Sequence, residues 1–316
     1  MSNLLPIYEF ALIIKVLPHI CPKVPYFANL NGDNMMPGGP VGLSKDISVC
    51  SAKKEVNKMN YKIYNNNSEE WVLLIHGLGG SINTWKYQIN DLKDYNVIAV
   101  DLEGHGGSDF EKRTRLLTRS ASEINEVLEN ENINQVHVVS LSLGTLVAME
   151  FAYLYKEKVK SIVLAGFVLN MNFGFKSLLA FVEGCKYIVP KKFFYPLFAN
   201  IMMPKKNHKK SRDIFVRESV KMKSVAFRMW LSELFRTQFR LKEYLTSIKE
   251  NHLPVMFISG REDYFFVNSV KRTQKMISDA SLYFIEKCGH VCSIEKYNEF
   301  NNLLVSFLHG VKPVCA

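Results

Sequence analysis

The feature that most constrains this chain is a series of short, mostly uninterrupted apolar runs separated by helical stretches. "WVLLIHG" (Trp71 to Gly77), "NVIAVDL" (Asn96 to Leu102), "VHVVS" (Val136 to Ser140), "VKSIVLAG" (Val159 to Gly166), "LPVMFISG" (Leu253 to Gly260) and "ASLYFIE" (Ala280 to Glu286) each read as a strand. Continuous rather than alternating hydrophobicity means burial on both faces, the condition of a parallel sheet covered by helices. Helical patterns fill the gaps: "SASEINEVLENENI" (Ser120 to Ile133), with Ser120 and Glu123 spaced as a capping box, "GTLVAMEFAYLY" (Gly144 to Tyr155), and a closing "NEFNNLLVSFLHG". Upstream, "EVNKMNYKIYNNN" (Glu55 to Asn67) alternates like a hairpin strand ending in a turn. The expectation is a doubly wound, mostly parallel α/β core.

The rhythm breaks between residues 167 and 250, where only helical periodicity remains, as in "SVAFRMWLSELFRTQF". A sheet that stops and later resumes indicates an insertion. The chain therefore divides into residues 1–45, a core of 46–166 and 251–316, and a helical cap of 167–250. Charge follows that division. The insert has 17 Lys and Arg against 6 Asp and Glu, about +11, in a chain whose net charge is +10. Its densest cluster, "PKKNHKKSRD" (Pro204 to Asp213), reads first as a solvated loop. The functional alternative is an anionic or carrier-bound acyl substrate, or a lipid surface. Nucleic acid is not expected, because no basic-aromatic platform accompanies the cluster.

Residues 1–45 open with the greasy stretch "LLPIYEFALIIKVLPHICP" (Leu4 to Pro22), interrupted by Glu9 and Lys15. It lacks a basic leader and a small-x-small cleavage site, so a signal peptide is not expected. An amphipathic helix packed on the body is the first reading, and peripheral membrane contact the second. The following "NGDNMMPGGPVGLS" reads as a linker. The six cysteines (Cys21, Cys50, Cys185, Cys288, Cys292 and Cys315) are too dispersed for a disulfide framework, and read as buried thiols in a reducing, cytoplasmic setting. Cys288 and Cys292 have no second ligand pair, so no metal is expected, and no Gly-rich phosphate loop implies a nucleotide cofactor.

The chemistry centres on "VVSLSLGTL" (Val138 to Leu146), between a strand and a helix. A nucleophile elbow needs small residues two before and two after the reactive serine, because strand and helix converge there. Around Ser140 these would be Val138 and Ser142; around Ser142 they are Ser140 and Gly144. Ser142 is the candidate nucleophile. Its partners follow in the order acid, base: Asp263 in "ISGREDYF", past a strand end, and His290 in "EKCGHVCSIE", after the next strand. Glu262 stands open as the alternative acid. For the developing oxyanion, backbone N–H groups are expected from Leu143, next to the nucleophile, and from Leu78 in "HGLGG" (His76 to Gly80). His76 reads as a structural hydrogen-bonder.

In this order and approximate spacing, "HGLGG", "DLEGHGGSD" (Asp101 to Asp109), "SLSLG", "GRED" and "GH" resemble the α/β-hydrolase family, and within it the capped group of lactonases, esterases and carbon–carbon-bond hydrolases. The resemblance covers about residues 55–310 and implies an eight-stranded, mostly parallel sheet with a helical cap between its sixth and seventh strands. Two positions depart from the pattern. Ser140 replaces the first glycine of the elbow, where its hydroxyl would bond within the turn. Glu103 replaces a proline, read as a harmless loop change, while His105 keeps a structural role. A serine at 142 argues against the carboxylate-nucleophile chemistries of the family. The expected function is hydrolysis of a carboxylic ester, thioester or lactone through an acyl-enzyme. The alternatives are carbon–carbon bond hydrolysis or acyl transfer with the same triad, or a hydrolase-like receptor for a small molecule.

Overall fold

The computed structural model describes residues 59–112, 114–169, 176–177 and 191–311. The expectations for residues 1–45, the linker, and Cys21, Cys50, Cys185 and Cys315 fall outside them. Seven strands form one sheet: β1 (Tyr61–Tyr64), β2 (Trp71–Ile75), β3 (Asn96–Val100), β4 (Val136–Leu141), β5 (Val159–Ala165), β6 (Val255–Gly260) and β7 (Ser281–Ile285). Their spatial order is β1-β3-β2-β4-β5-β6-β7, with β1 antiparallel to β3 and every other pair parallel. The described sheet thus has seven strands where eight are implied by resemblance, and the insertion leaves it after the fifth and returns as the sixth.

Every residue of β3, β4 and β6 is buried, as their continuous apolar runs require. One face of the sheet, with Val72, Val97, Val139, Val163 and Met256, packs on Phe300, Leu304 and Leu308 of the last long helix. Each such side chain removed from water contributes about 1.5–3 kcal/mol. Cys288 and Cys292 join this cluster as free thiols. Burial holds both thiols protonated, well above the ordinary range.

Helix α1 spans Leu116–Asn130 rather than starting at Ser120. The capping box expected at Ser120 and Glu123 is therefore overturned, and Ser120 is a fully buried residue inside the helix. The reason is the apolar face, Leu117, Ala121, Ile124 and Leu128, which begins a turn before the serine. Arg115, in the left-handed region at φ 62°, starts the helix instead. Helix α2 (Leu143–Leu154) follows β4 directly.

The insertion contributes α3 (Lys191–Met202), α4 (Lys209–Ser219), α5 (Ser224–Thr237) and α6 (Leu241–Glu250). Its basic stretch is not a loop: Lys206–His208 form a 3-10 turn that runs into α4. Nor is all its charge left in solvent. Lys205 pairs with Glu262 at 2.6 Å, and the Lys210 ammonium lies 4.8 Å from the Tyr87 ring centre. At the other end of the insertion, Glu150 of α2, almost fully buried, pairs with Arg240 and accepts the Tyr244 hydroxyl at 2.8 Å.

Candidate active site

β4 and α2 meet at Ser142, whose backbone is left-handed at φ 52°, ψ −119°. For a residue with a side chain this conformation is strained, and it lifts the side chain off the end of the sheet. It is held by the Ser142 N–H, which donates to the Ala165 carbonyl of β5 at 2.8 Å. Two residues on, Gly144 has no room for a side chain: a Cβ there would overlap the carbonyl oxygens of Ile75 and His76. Ser140 lies within β4, fully buried, and its hydroxyl donates to the Val163 carbonyl of the neighbouring strand at 2.9 Å. Its hydroxyl thus serves the sheet and not the turn.

The loops after β6 and β7 place the other two candidates. Asp263 is fully buried and accepts from His290 Nδ1 at 2.8 Å; His290 Nε2 lies 2.8 Å from the Ser142 hydroxyl. A carboxylate can only accept, so Nδ1 carries the imidazole proton and Nε2 is left to accept from the serine. Glu262 points elsewhere. Lys205 donates to one of its oxygens at 2.6 Å, and Asn207 and His208 reach the other at 3.0 and 2.9 Å. Burial pushes the Glu262 carboxyl up, but these three bonds outweigh it and hold it below its ordinary range.

The "HGLGG" loop turns beside Ser142, closed by the Gly80 N–H on the Gly77 carbonyl at 2.9 Å. Leu78 and Leu143 line the same pocket as Ser142. As the first residue of α2, Leu143 has an N–H without an intrahelical acceptor. Buried His76 braces the loop: Nδ1 donates to the Gly77 carbonyl at 2.8 Å, and Nε2 accepts the Leu102 N–H at 3.0 Å. Burial lowers its pKa and keeps it neutral, against a smaller opposing pull from Asp101. Above this loop the insertion supplies a roof. The pocket is walled by Val168, Phe198, Met202, Met203, Ile214, Phe215 and Leu234 from the insertion, and by Phe266 and Ile294 from the core. Glu218 is its one charged insertion residue among those described.

Residues 70–297 match the family described as alpha/beta hydrolase fold. This chain belongs to that family. Among similar proteins is a 2-hydroxy-6-oxononadienedioate/2-hydroxy-6-oxononatrienedioate hydrolase of Pseudomonas sp., 26% identical over 292 residues, covering 84% of this chain and 97% of the relative. An esterase of Exiguobacterium antarcticum superposes with a TM-score of 0.70 at 20% identity, covering 80% of this chain and 96% of that one. The enol-lactonase of Burkholderia xenovorans LB400 does so with a TM-score of 0.70 at 15% identity, covering 79% and 96%. The two structures share the α/β-hydrolase fold with this chain.

Three residues near the site escape sequence reasoning. Glu103 is buried: its carbonyl accepts the Trp230 indole N–H at 2.9 Å, and its carboxylate takes the Glu111 N–H and Arg119, each at 2.9 Å. The carboxylate that stands in place of proline ties α1 to the loop after β3 and is more than a neutral loop change, whereas the Trp230 bond is to the backbone and does not depend on the side chain at 103. His208 is fully buried, and the Glu295 side chain nearly so, beside the loops of Asp263 and His290. Burial pushes the Glu295 carboxyl up, partly offset by the Gly289 N–H and by His208. Neither residue lies in a spacing that marks it. Among the described residues no helix is long and apolar enough to cross a membrane.

Proposed function

We propose that this chain is a serine hydrolase that cleaves a carboxylic ester with an uncharged, apolar acyl group, through an acyl-enzyme. The observation that carries this reading is the hydrogen-bonded line Ser142–His290–Asp263 at the floor of an apolar pocket. His290 Nε2 takes the proton as Ser142 Oγ attacks the carbonyl carbon. Asp263 fixes the tautomer and stabilises the imidazolium. The N–H groups of Leu78 and Leu143 receive the oxyanion, a contribution of about 3–4 kcal/mol for each well-placed donor. The imidazolium then returns its proton to the leaving alcohol, and water repeats the sequence on the acyl-enzyme.

The pocket argues for a neutral acyl group. No Lys or Arg lines it among the described residues, and Glu218 contributes a carboxylate. Burial pushes the Glu218 carboxyl up, but Lys221 and Arg217 together hold it ionised, below its ordinary range. The second reading, carbon–carbon bond hydrolysis by the same three residues, draws on the Pseudomonas relative. That relative's substrates are dioates, and two carboxylates would enter this pocket without a cation to meet them.

Turnover of p-nitrophenyl esters of increasing chain length, beside an ester ending in a carboxylate, tests the proposal. Ser142→Ala is expected to lower kcat by about 10⁴-fold or more with the fold intact. Neutral esters are expected to exceed the anionic one. An active Ser142→Ala enzyme would overturn the mechanism, and a preference for the anionic ester would overturn the substrate class.

A further inference from the structure

The insertion meets both loops of the site through one turn. Lys206–His208 carries His208 to full burial between two carboxylates of the core. His208 Nε2 lies 2.9 Å from Glu262 Oε2 and 3.8 Å from Glu295 Oε2. Carboxylates accept only, so Nε2 carries a proton and donates. Glu262 adjoins Asp263 in the chain. Glu295 Oε2 accepts the N–H of Gly289 at 2.8 Å, and Gly289 adjoins His290. Asn207 extends the grip, donating to the Lys287 carbonyl at 3.0 Å.

The contact reaches the backbone itself. A Cβ on Gly289 would come within 3.0 Å of Glu295 Oε1 and of His208 Cε1 and Nε2. Thus the peptide immediately before His290 rests on an imidazole from the insertion. A contact selected for stability alone would look different. His208 Nδ1 is buried with no hydrogen-bond partner among the described residues, and an apolar pair of similar shape would avoid that desolvation cost. What the polar arrangement does supply is direction. Hydrogen bonds fix the angle and distance of the parts they join, whereas apolar packing tolerates sliding.

We infer that His208 is a positioning residue for the base: with Glu295 it fixes the Gly289–His290 backbone, so His290 faces Ser142 only when the insertion is docked. This rests on the triad reading given above. His208 touches no reacting atom; it acts through Glu295, Gly289 and Glu262. The consequence is that occupancy of the pocket roof and alignment of the base are one event rather than two.

The full chain, assayed with p-nitrophenyl butyrate and with Ser142→Ala as the blank, tests this. His208→Ala is expected to lower kcat about tenfold or more while KM changes by less than about threefold, since the pocket walls remain and the base is misaligned. His208→Gln, whose amide can still donate to Glu262, is expected to recover most of kcat. Glu295→Gln keeps an oxygen for the Gly289 N–H but removes the carboxylate charge that faces the His208 Nε2–H, and is expected to lose about threefold in kcat. It carries the test if His208→Ala does not fold. An unchanged kcat in His208→Ala, or in Glu295→Gln where that variant carries the test, overturns the inference. So does a loss that tracks the unfolded fraction by thermal melting and is not recovered in His208→Gln. Absence of Ser142-dependent turnover in the natural chain is a different failure, which overturns the triad reading and the inference with it.

Discussion

The sheet and the insertion are held by different forces, and the contrast decides which parts of the molecule tolerate change. β3, β4 and β6 are buried along their whole length and locked by ladder hydrogen bonds. The insertion packs an apolar roof over the pocket, and among the described residues it is also joined to the core by polar ties. These include the Trp230 indole on the Glu103 carbonyl, Arg240 and Tyr244 on Glu150, and Lys205, Asn207 and His208 on the loops of the site. Burial is non-directional and scales with area, so the core is robust to small shifts. A polar tie is directional and costly once half removed, so the insertion should release as a unit. The strained elbow sits on the rigid side of this divide, and the roof of its pocket on the other.

Three changes would break or sharpen that comparison. The largest is Gly144→Val in the core, where branched carbons would be driven into the carbonyls of Ile75 and His76. A stability loss of about 3 kcal/mol or more is expected by denaturant unfolding, together with loss of turnover. Retained stability would show that the elbow is looser than the buried strands suggest. Next is Glu150→Ala at the insertion's return, which strips Arg240 and Tyr244 of their shared acceptor. A loss of about 2–3 kcal/mol is expected. Amide hydrogen exchange should localise it to 224–250 before the strands open; uniform loss across the sheet would mean that core and insertion unfold as one.

The smallest effect lies in α1. Burial and then the charge of Glu103 push the Glu123 carboxyl up to about 7, from an ordinary value of 4.5. The folded state therefore holds this proton more tightly than the unfolded chain, so the contribution of Glu123 to stability is fully present below 4.5 and is lost as pH rises through about 7. Glu123→Gln should remove that slope and stabilise the chain above pH 7 by about 1 kcal/mol, after allowance for solvent screening. Parallel pH–stability curves for the two proteins would disprove the shift.

How much was legible in advance follows the same divide. The apolar runs located six strands to within a residue or two, because burial on both faces leaves a continuous local trace. Small residues flanking Ser142 singled it out between two serines, since the crowding at an elbow acts on immediate neighbours. The start of α1 was misread, because a buried face outweighed a capping pattern at Ser120. Pro204 to Asp213 was misread as a solvated loop for a different reason: nothing near His208 in the chain announces Glu262 or Glu295, 54 and 87 positions away. Charge pattern records how polar a stretch is, and not whom it meets.

By itself, then, the sequence determined what short-range physics writes into neighbouring residues: a parallel sheet, its interruption by helices, a sterically permitted elbow, and acid and base candidates at strand ends. The tertiary structure alone decided the rest. It closed Ser142, His290 and Asp263 into one hydrogen-bonded line, directed Glu262 to the insertion and Ser140 to the next strand, and buried His208 against the loop that carries His290. Those outcomes depend on angles and distances of an ångström or less between residues far apart in the chain, and such geometry exists only once the core has packed.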